Sequence, residues 1–279
     1  MKVGNDSLEK REPKPFLRWA GGKRWLLDSL DEMMSDFTFK KYYEPFLGGG
    51  SVFFHLKPNS AFLSDLNNDL ITTYVAVRDR CEEVINKLLQ YKITEDDYYD
   101  IRASVPNNNI ELAARFIYLN HTSYNGLYRV NKKGQYNVPY GKKDTVHFDV
   151  EGIRAANIAL QGVSLKSCDY QDTINEIDKG DFVFLDPPYT VSHNHNGFIQ
   201  YNKKLFSIDN QKELRGYIEK LDEKGAYFLL TNADHYSIRE IFNDIGNRGP
   251  MEVKRFSGLG GIGSVRETKT ELVFSNLPL

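Results

Sequence analysis

Asp186, Pro187, Pro188 and Tyr189 follow directly on Phe182-Val183-Phe184-Leu185. Four consecutive apolar residues bounded by a turn read as a buried strand. The next four cannot extend it, because proline fixes φ and carries no N–H donor. Their chemistry is more telling. The Asp186 carboxylate and the Pro187 carbonyl are two acceptors held close together on a stiff turn. An amino group, with two N–H donors, matches them. Tyr189 adds a flat face on which a planar ring can stack. The site therefore suits a planar amine such as the exocyclic amine of a nucleobase. A proline-stiffened loop with a solvated Asp186 is the plain alternative.

A second constellation lies upstream. Glu44-Pro45-Phe46-Leu47 leads into Gly48-Gly49-Gly50-Ser51, and Asp65 stands fifteen residues after Gly50. Successive glycines permit a tight turn and a close approach of backbone to ligand. An acid at the end of the following strand can accept both hydroxyls of a ribose. Each feature also has a plain reading: the glycines as a turn alone, and Asp65 as the N-cap of the helix that follows. Their combination favours ribose binding. A nucleoside-triphosphate loop is excluded, because Ser51 follows Gly50 with no lysine and Lys23 is followed by Arg24, not Ser or Thr.

Strands and helices must alternate to place these groups. Lys41–Leu56 reads as strand, glycine turn and helix; Ala61–Asp65 as a second strand ending at the acid. Residues 70–120 are mainly helical by pattern. Between Asn120 and Asp149 the character changes, and Leu127–Val138 reads as a β-hairpin turning at Asn131-Lys132-Lys133-Gly134. Strand–helix alternation returns after residue 152. The predicted fold is α/β, with a mostly parallel central sheet. Residues 1–69 and 150–279 form the nucleotide-binding domain. Residues 70–149 form an inserted helical domain that presents a hairpin over about 126–140.

The chain's 279 residues suit one such core with an insertion. Net charge is −2, with 41% hydrophobic and 27% charged residues, an ordinary soluble composition. No apolar stretch reaches the ~20 residues of a membrane span, and the polar N-terminus lacks a secretory core. A cytoplasmic location is expected. Cys81 and Cys168 form no CxxC pair and read as small core residues. From Tyr124 to Lys143 there are five basic residues (Arg129, Lys132, Lys133, Lys142 and Lys143) and no acid. Such a patch can bind phosphates on an otherwise near-neutral protein. His193 and His195 resemble a metal pair only superficially, since no third ligand stands nearby, and no metal is expected.

In this order, WAGGK, PFLGGGS, SDLN, SYNGLYRVNKKGQYNVPYG and LDPPY resemble the Dam-type, AdoMet-dependent DNA adenine-N6 methyltransferases, from about Pro15 to the C-terminus. The resemblance implies a Rossmann-like methyltransferase fold with an inserted target-recognition domain. It implies that Trp19 and Lys23 help bind AdoMet, as do Phe46, Gly48 and Gly50 through their backbone and Asp65 through the ribose. Asp186, Pro187, Pro188 and Tyr189 would receive a flipped adenine, Asp186 also lying at the cofactor. Tyr124, Asn125, Leu127, Arg129 and Pro139 would read double-stranded DNA. Arginine bidentate on guanine is also the commonest specific base contact; a phosphate contact or a solvated Arg129 is the alternative. Tyr124 could wedge into the base stack or be a core tyrosine.

The adenine must leave the duplex to be reached. Hydrogen bonds from its amine to Asp186 and Pro187 would localise the nitrogen lone pair towards the methyl group. Alignment would supply much of the rate, and the proton would leave late rather than be removed first by Asp186. Cytosine-C5 chemistry fails for want of a Pro-Cys pair: Cys81 follows Arg80 and Cys168 follows Ser167. Cytosine-N4 and protein-glutamine enzymes more often resemble SPPY and NPPY. A regulator without catalysis is the contrasting class. The hairpin resembles those of enzymes acting on GATC, while relatives with similar hairpins read longer GA-starting sites such as GATATC. A bacterial or phage-encoded monomer is expected. Residues 192–206 read as a DNA clamp or a lid. Residues 257–266 read as a loop near pocket or DNA, with Arg266 a possible phosphate contact.

Overall fold

The strands of the sheet arise, at its centre, where buried aromatic and aliphatic residues run together. In the computed structural model, which describes residues 11–142, 145–189, 206–247, 249–256 and 268–278, they are β1 (Tyr42–Glu44), β2 (Ala61–Asp65), β3 (Ser164–Ser167), β4 (Phe182–Leu185), β5 (Tyr227–Ala233), β6 (Met251–Phe256) and β7 (Thr268–Ser275). They form one sheet in the order β3-β2-β1-β4-β5-β7-β6. β1 runs parallel to β2 and β4, and β4 parallel to β5; β7 is antiparallel to β5 and β6. The mostly parallel α/β sheet is thus as the sequence predicts. β4 is buried along its whole length and β1 likewise, as expected for central strands of a parallel sheet.

β6 has no counterpart in the pattern reading. Its residues Glu252 and Lys254 are charged, and Met251, Glu252 and Lys254 are exposed, so it carries little hydrophobic signal. Charge on an edge strand also blocks further pairing.

The chain divides into two compact units. One takes the segment up to Gly22, Gly48–Lys57 and Asn67–Leu165; the other takes Lys23–Leu47, Pro58–Leu66 and the chain from Lys166 onward. The second unit holds most of the sheet. Its core gathers Tyr43, Val183, Leu185, Phe228, Leu230 and Phe274, among others. Each such side chain contributes about 1.5–3 kcal/mol by leaving water.

The first unit is helical. Its helices Asn68–Leu89, Glu95–Ala103, Asn109–Thr122 and Val150–Ala159 start at Asn67, Thr94, Asn108 and Asp149, and each of these caps accepts a backbone N–H of the first turn. The cap of the helix after β2 is therefore Asn67, whose Oδ1 accepts from Leu70 N at 3.1 Å. The capping role considered for Asp65 falls to its neighbour. The segment predicted as a hairpin reverses at Asn131, whose Oδ1 accepts from Lys133 N and Gln135 N. Pairing there consists of isolated antiparallel bridges, Val130 with Tyr136 and Ser123 with Tyr140. No helix among the described residues is long and apolar enough to cross a membrane.

Candidate functional site

In the sheet unit, β2, β1, β4 and β5 are parallel, so their carboxyl ends share one edge. Asp65 closes β2, Phe46 follows β1, and Asp186 follows β4. This is the edge where open α/β sheets bind ligands. Register puts Leu185 beside Leu230, which brings the next residue on each strand together: Thr231 Oγ1 donates to Asp186 Oδ1 at 2.9 Å. The other carboxylate oxygen, Oδ2, lies 2.6 Å from Lys23 Nζ. Lys23 is only 3% exposed, a position that a lysine holds only when its charge is paired. Its ammonium also stands over the Tyr189 ring, 5.2 Å from the centroid. Asp186 is thus clamped at both oxygens. Lys23, expected at the cofactor, pairs with the acid of the Asp-Pro-Pro-Tyr turn.

Tyr189 is held as well. Its hydroxyl donates to Glu271 of β7. Burial first, then the charges of Asp186 and Glu271, push its phenol pKa well above the ordinary value. It therefore stays a neutral donor. Thr231 and Glu271 were not foreseen. A threonine and a glutamate inside strand patterns carry no motif, and only the pairing of β5 with β4 and β7 reveals their neighbours. Phe46 packs on Tyr170 (5.2 Å between centroids) and edge-on to Phe206 (6.0 Å). Asp65 is half-buried, with its carboxylate at a strand end where ribose hydroxyls could be accepted.

In the helical unit, Trp19 stacks on Tyr128 and Phe116, with centroids 5.5 and 6.4 Å apart. Its indole also explains the glycines. Gly48 has φ +48°, and a Cβ there would stand 2.6 Å from Trp19 Cδ1. Gly50 is left-handed too and caps the short helix Ser51–Leu56. Gly48 and Gly49 are therefore shaped by the tryptophan before them, a Cβ at Gly49 standing 3.0 Å from Trp19 Cβ.

Tyr124, Asn125, Leu127, Arg129 and Pro139 come together in this unit. Tyr124 N donates to Pro139 O at 3.0 Å. Tyr124 is 54% exposed, which removes the core-tyrosine alternative. Asn125 is in the left-handed region at φ +55°. Arg129 is exposed and lies across the turn on Asn137: Nε donates to Oδ1 at 2.8 Å and Nη2 to the carbonyl at 3.0 Å. Two of its five N–H groups are so engaged, and three are left for a ligand. Tyr136 braces the same segment, its hydroxyl donating to Leu127 O at 2.6 Å. Burial pushes its pKa up to about 12. Lys132 and Lys133 are exposed on the turn. Lys143, His193, His195, Arg266, the loop 257–266 and all but Phe206 of the stretch 192–206 lie outside the described residues. Among the described residues no group of three His, Cys, Asp or Glu could hold a metal ion.

The carboxyl edge of a mostly parallel α/β sheet thus carries Asp65 and an Asp-Pro-Pro-Tyr turn whose Asp186 is held at both oxygens, the frame of an α/β enzyme. The chain belongs to the D12 class N6 adenine-specific DNA methyltransferases, whose family model matches residues 19–257. It is similar to the type II methyltransferase M1.LlaDCHI of Lactococcus lactis subsp. cremoris, 35% identical over 274 residues that cover 94% of this chain and 95% of that protein. It is 36% identical over 245 residues to the type II methyltransferase M.MjaIII of Methanocaldococcus jannaschii, covering 80% and 85%. The DNA adenine methylase of Haemophilus influenzae is 32% identical over 244 residues, covering 84% of each chain.

Proposed function

We propose that this DNA adenine-N6 methyltransferase acts on the adenine of GATC in double-stranded DNA, working as a monomer. The observation that carries the guanine of that site is Arg129, exposed and aimed by Asn137, on the segment that also holds Tyr124 and Pro139. An arginine with a fixed plane suits bidentate recognition of guanine O6 and N7. Tyr124 is the residue to fill the space the adenine leaves.

AdoMet supplies the methyl group on a sulfonium that is already a good leaving group. Its holders are proposed to be Trp19, Lys23, Phe46, Gly48, Gly50, Asp65 and Asp186, with Asp65 accepting from the ribose hydroxyls. The residues of the chain then do four things. The reading segment offsets the few kcal/mol that unstacking the base costs. Tyr189 stacks on the adenine. Asp186 and the Pro187 carbonyl accept the two N6–H groups. Because each carboxylate oxygen has two lone pairs, Asp186 can accept from the amine while Thr231 and Lys23 hold it. The lone pair of N6 is thereby turned towards the methyl carbon, and once the nitrogen has gained positive charge one of its protons passes to the Asp186 carboxylate that already accepts it.

The test uses labelled AdoMet and duplexes carrying GATC, GATATC, a scrambled site, or GATC already methylated on both adenines. Label in unmethylated GATC alone supports the proposal. Label in GATATC alone keeps Arg129 at the guanine and moves the rest of the site. AdoMet binding without transfer to any duplex leaves a non-catalytic DNA-binding regulator.

A further inference from the structure

Glu271 is a carboxylate in the wrong place for stability alone. It is 2% exposed, on a strand whose next three residues, Leu272, Val273 and Phe274, are buried and apolar. Its partners across the sheet are Ala233 on β5 and Val253 on β6. Burying a carboxylate is costly unless it is hydrogen-bonded, and an apolar residue would serve the sheet better. A break in the local pattern of this kind marks a functional site more often than a packing need.

Glu271 accepts the hydroxyl of Tyr189. The ring of Tyr189 is then fixed at both ends. Its backbone follows Pro187 and Pro188, whose φ angles are set by their rings. Its far end is tied to β7, the strand that pairs with β5, while β5 carries the Thr231 that holds Asp186. The acceptor and the stacking face are thereby referred to the same pair of neighbouring strands. Because the phenol stays protonated, the tie holds across the working pH range.

We infer that Glu271 is a positioning residue for methyl transfer: by accepting the Tyr189 hydroxyl it sets the plane of the ring on which the target adenine stacks. The inference rests on the reading of Tyr189 as the platform for that base. It needs no contact between Glu271 and the substrate.

The experiment compares Glu271→Leu, Glu271→Gln, Tyr189→Phe and the double variant Glu271→Leu/Tyr189→Phe. The readouts are kcat, the KM for AdoMet, and the fluorescence of a duplex with 2-aminopurine at the target position. Glu271→Leu is expected to lower kcat on the order of 10- to 100-fold, as for a small misplacement of a reacting group. The KM for AdoMet should stay near that of the wild type. Glu271→Gln, whose Oε1 still accepts from a hydroxyl, should recover most of the rate. The double variant should be no worse than the poorer single variant, since the two groups act as one unit. A Glu271→Gln as poor as Glu271→Leu, single losses that multiply in the double variant, or a Glu271→Leu with wild-type kcat would overturn the inference. Tyr189→Ala separates the two levels. If it leaves kcat and the 2-aminopurine signal unchanged, the platform reading falls and takes the role of Glu271 with it. If it abolishes both while Glu271→Leu is inert, only the role of Glu271 falls.

Discussion

Lys23 Nζ lies 2.6 Å from Asp186 Oδ2, with the lysine side chain 3% exposed and the aspartate 22%. The lysine belongs to the Gly-Gly-Lys sequence near the start of the chain; the aspartate belongs to the turn after β4, more than half the chain away. Their pairing ties the Asp-Pro-Pro-Tyr turn to the segment from which the sheet unit begins.

Lys23→Met should therefore injure both stability and rate. Removing one partner of a buried pair leaves a charge without compensation. Because Asp186 is partly exposed, a loss of about 1–3 kcal/mol is expected rather than the full cost of a buried ion. kcat should fall on the order of 100-fold as Asp186 loses its fixed position. Lys23→Arg should restore charge but not fit, since a planar guanidinium does not replace a compact ammonium in a closed slot. Denaturant titration together with single-turnover transfer checks both.

Arg129→Ala should relax the choice of base rather than weaken all binding. A bidentate pair contributes about 1–3 kcal/mol of discrimination. The ratio of transfer on GATC to that on a duplex with the guanine replaced should therefore fall by roughly 5- to 150-fold. Asn137→Ala, which removes the side-chain bond to Arg129 and leaves the one to the backbone carbonyl, should fall in the same direction by less. An equal loss on every duplex, with a smaller salt slope, would mark Arg129 as a phosphate contact.

Gly48→Ala should be poorly tolerated. The residue sits at φ +48° and its new Cβ would meet the Trp19 ring at 2.6 Å. The left-handed backbone alone costs an alanine about 1–2 kcal/mol, and the indole must also move. A fall in thermal stability with weaker AdoMet binding by calorimetry is the expected outcome.

Stability should decline at high pH in a defined window. Burial raises the Tyr136 phenol from 10.0 to about 12, and Tyr189 shifts the same way. A group that holds its proton more tightly when folded contributes stability that is whole below the unfolded pKa and lost as pH rises through the folded one. Urea midpoints should be level on this account up to about pH 10 and drop between about pH 10 and 12. Tyr136→Phe should flatten part of that drop.

The carboxyl-edge acids were legible because they end apolar runs: Asp65 after Ala61–Ser64 and Asp186 after Phe182–Leu185. The reversal within Leu127–Val138 was legible through its turn residues, although Asn131 closes it with isolated bridges and not a ladder. Residues that act across the sheet were not legible. Thr231 and Glu271 meet Asp186 and Tyr189 only through strand pairings 45 and 82 residues apart in sequence. Local periodicity contains no such information. Trp19 stood out in the sequence only through its motif, and nothing there marked it as the neighbour that requires glycine at position 48. β6 escaped because its charged residues hide a strand at an edge.

The most direct test of the central claim is to digest a GATC duplex to nucleosides after incubation with AdoMet and the wild-type protein or Asp186→Ala, and to identify the methylated base by mass spectrometry. N6-methyldeoxyadenosine is expected with the wild type, and at least a 100-fold lower yield with Asp186→Ala at saturating AdoMet, a loss on the order expected when a positioned group is removed from the reacting centre. Methyl found on cytosine, or an Asp186→Ala variant that methylates adenine at the wild-type rate, would contradict it.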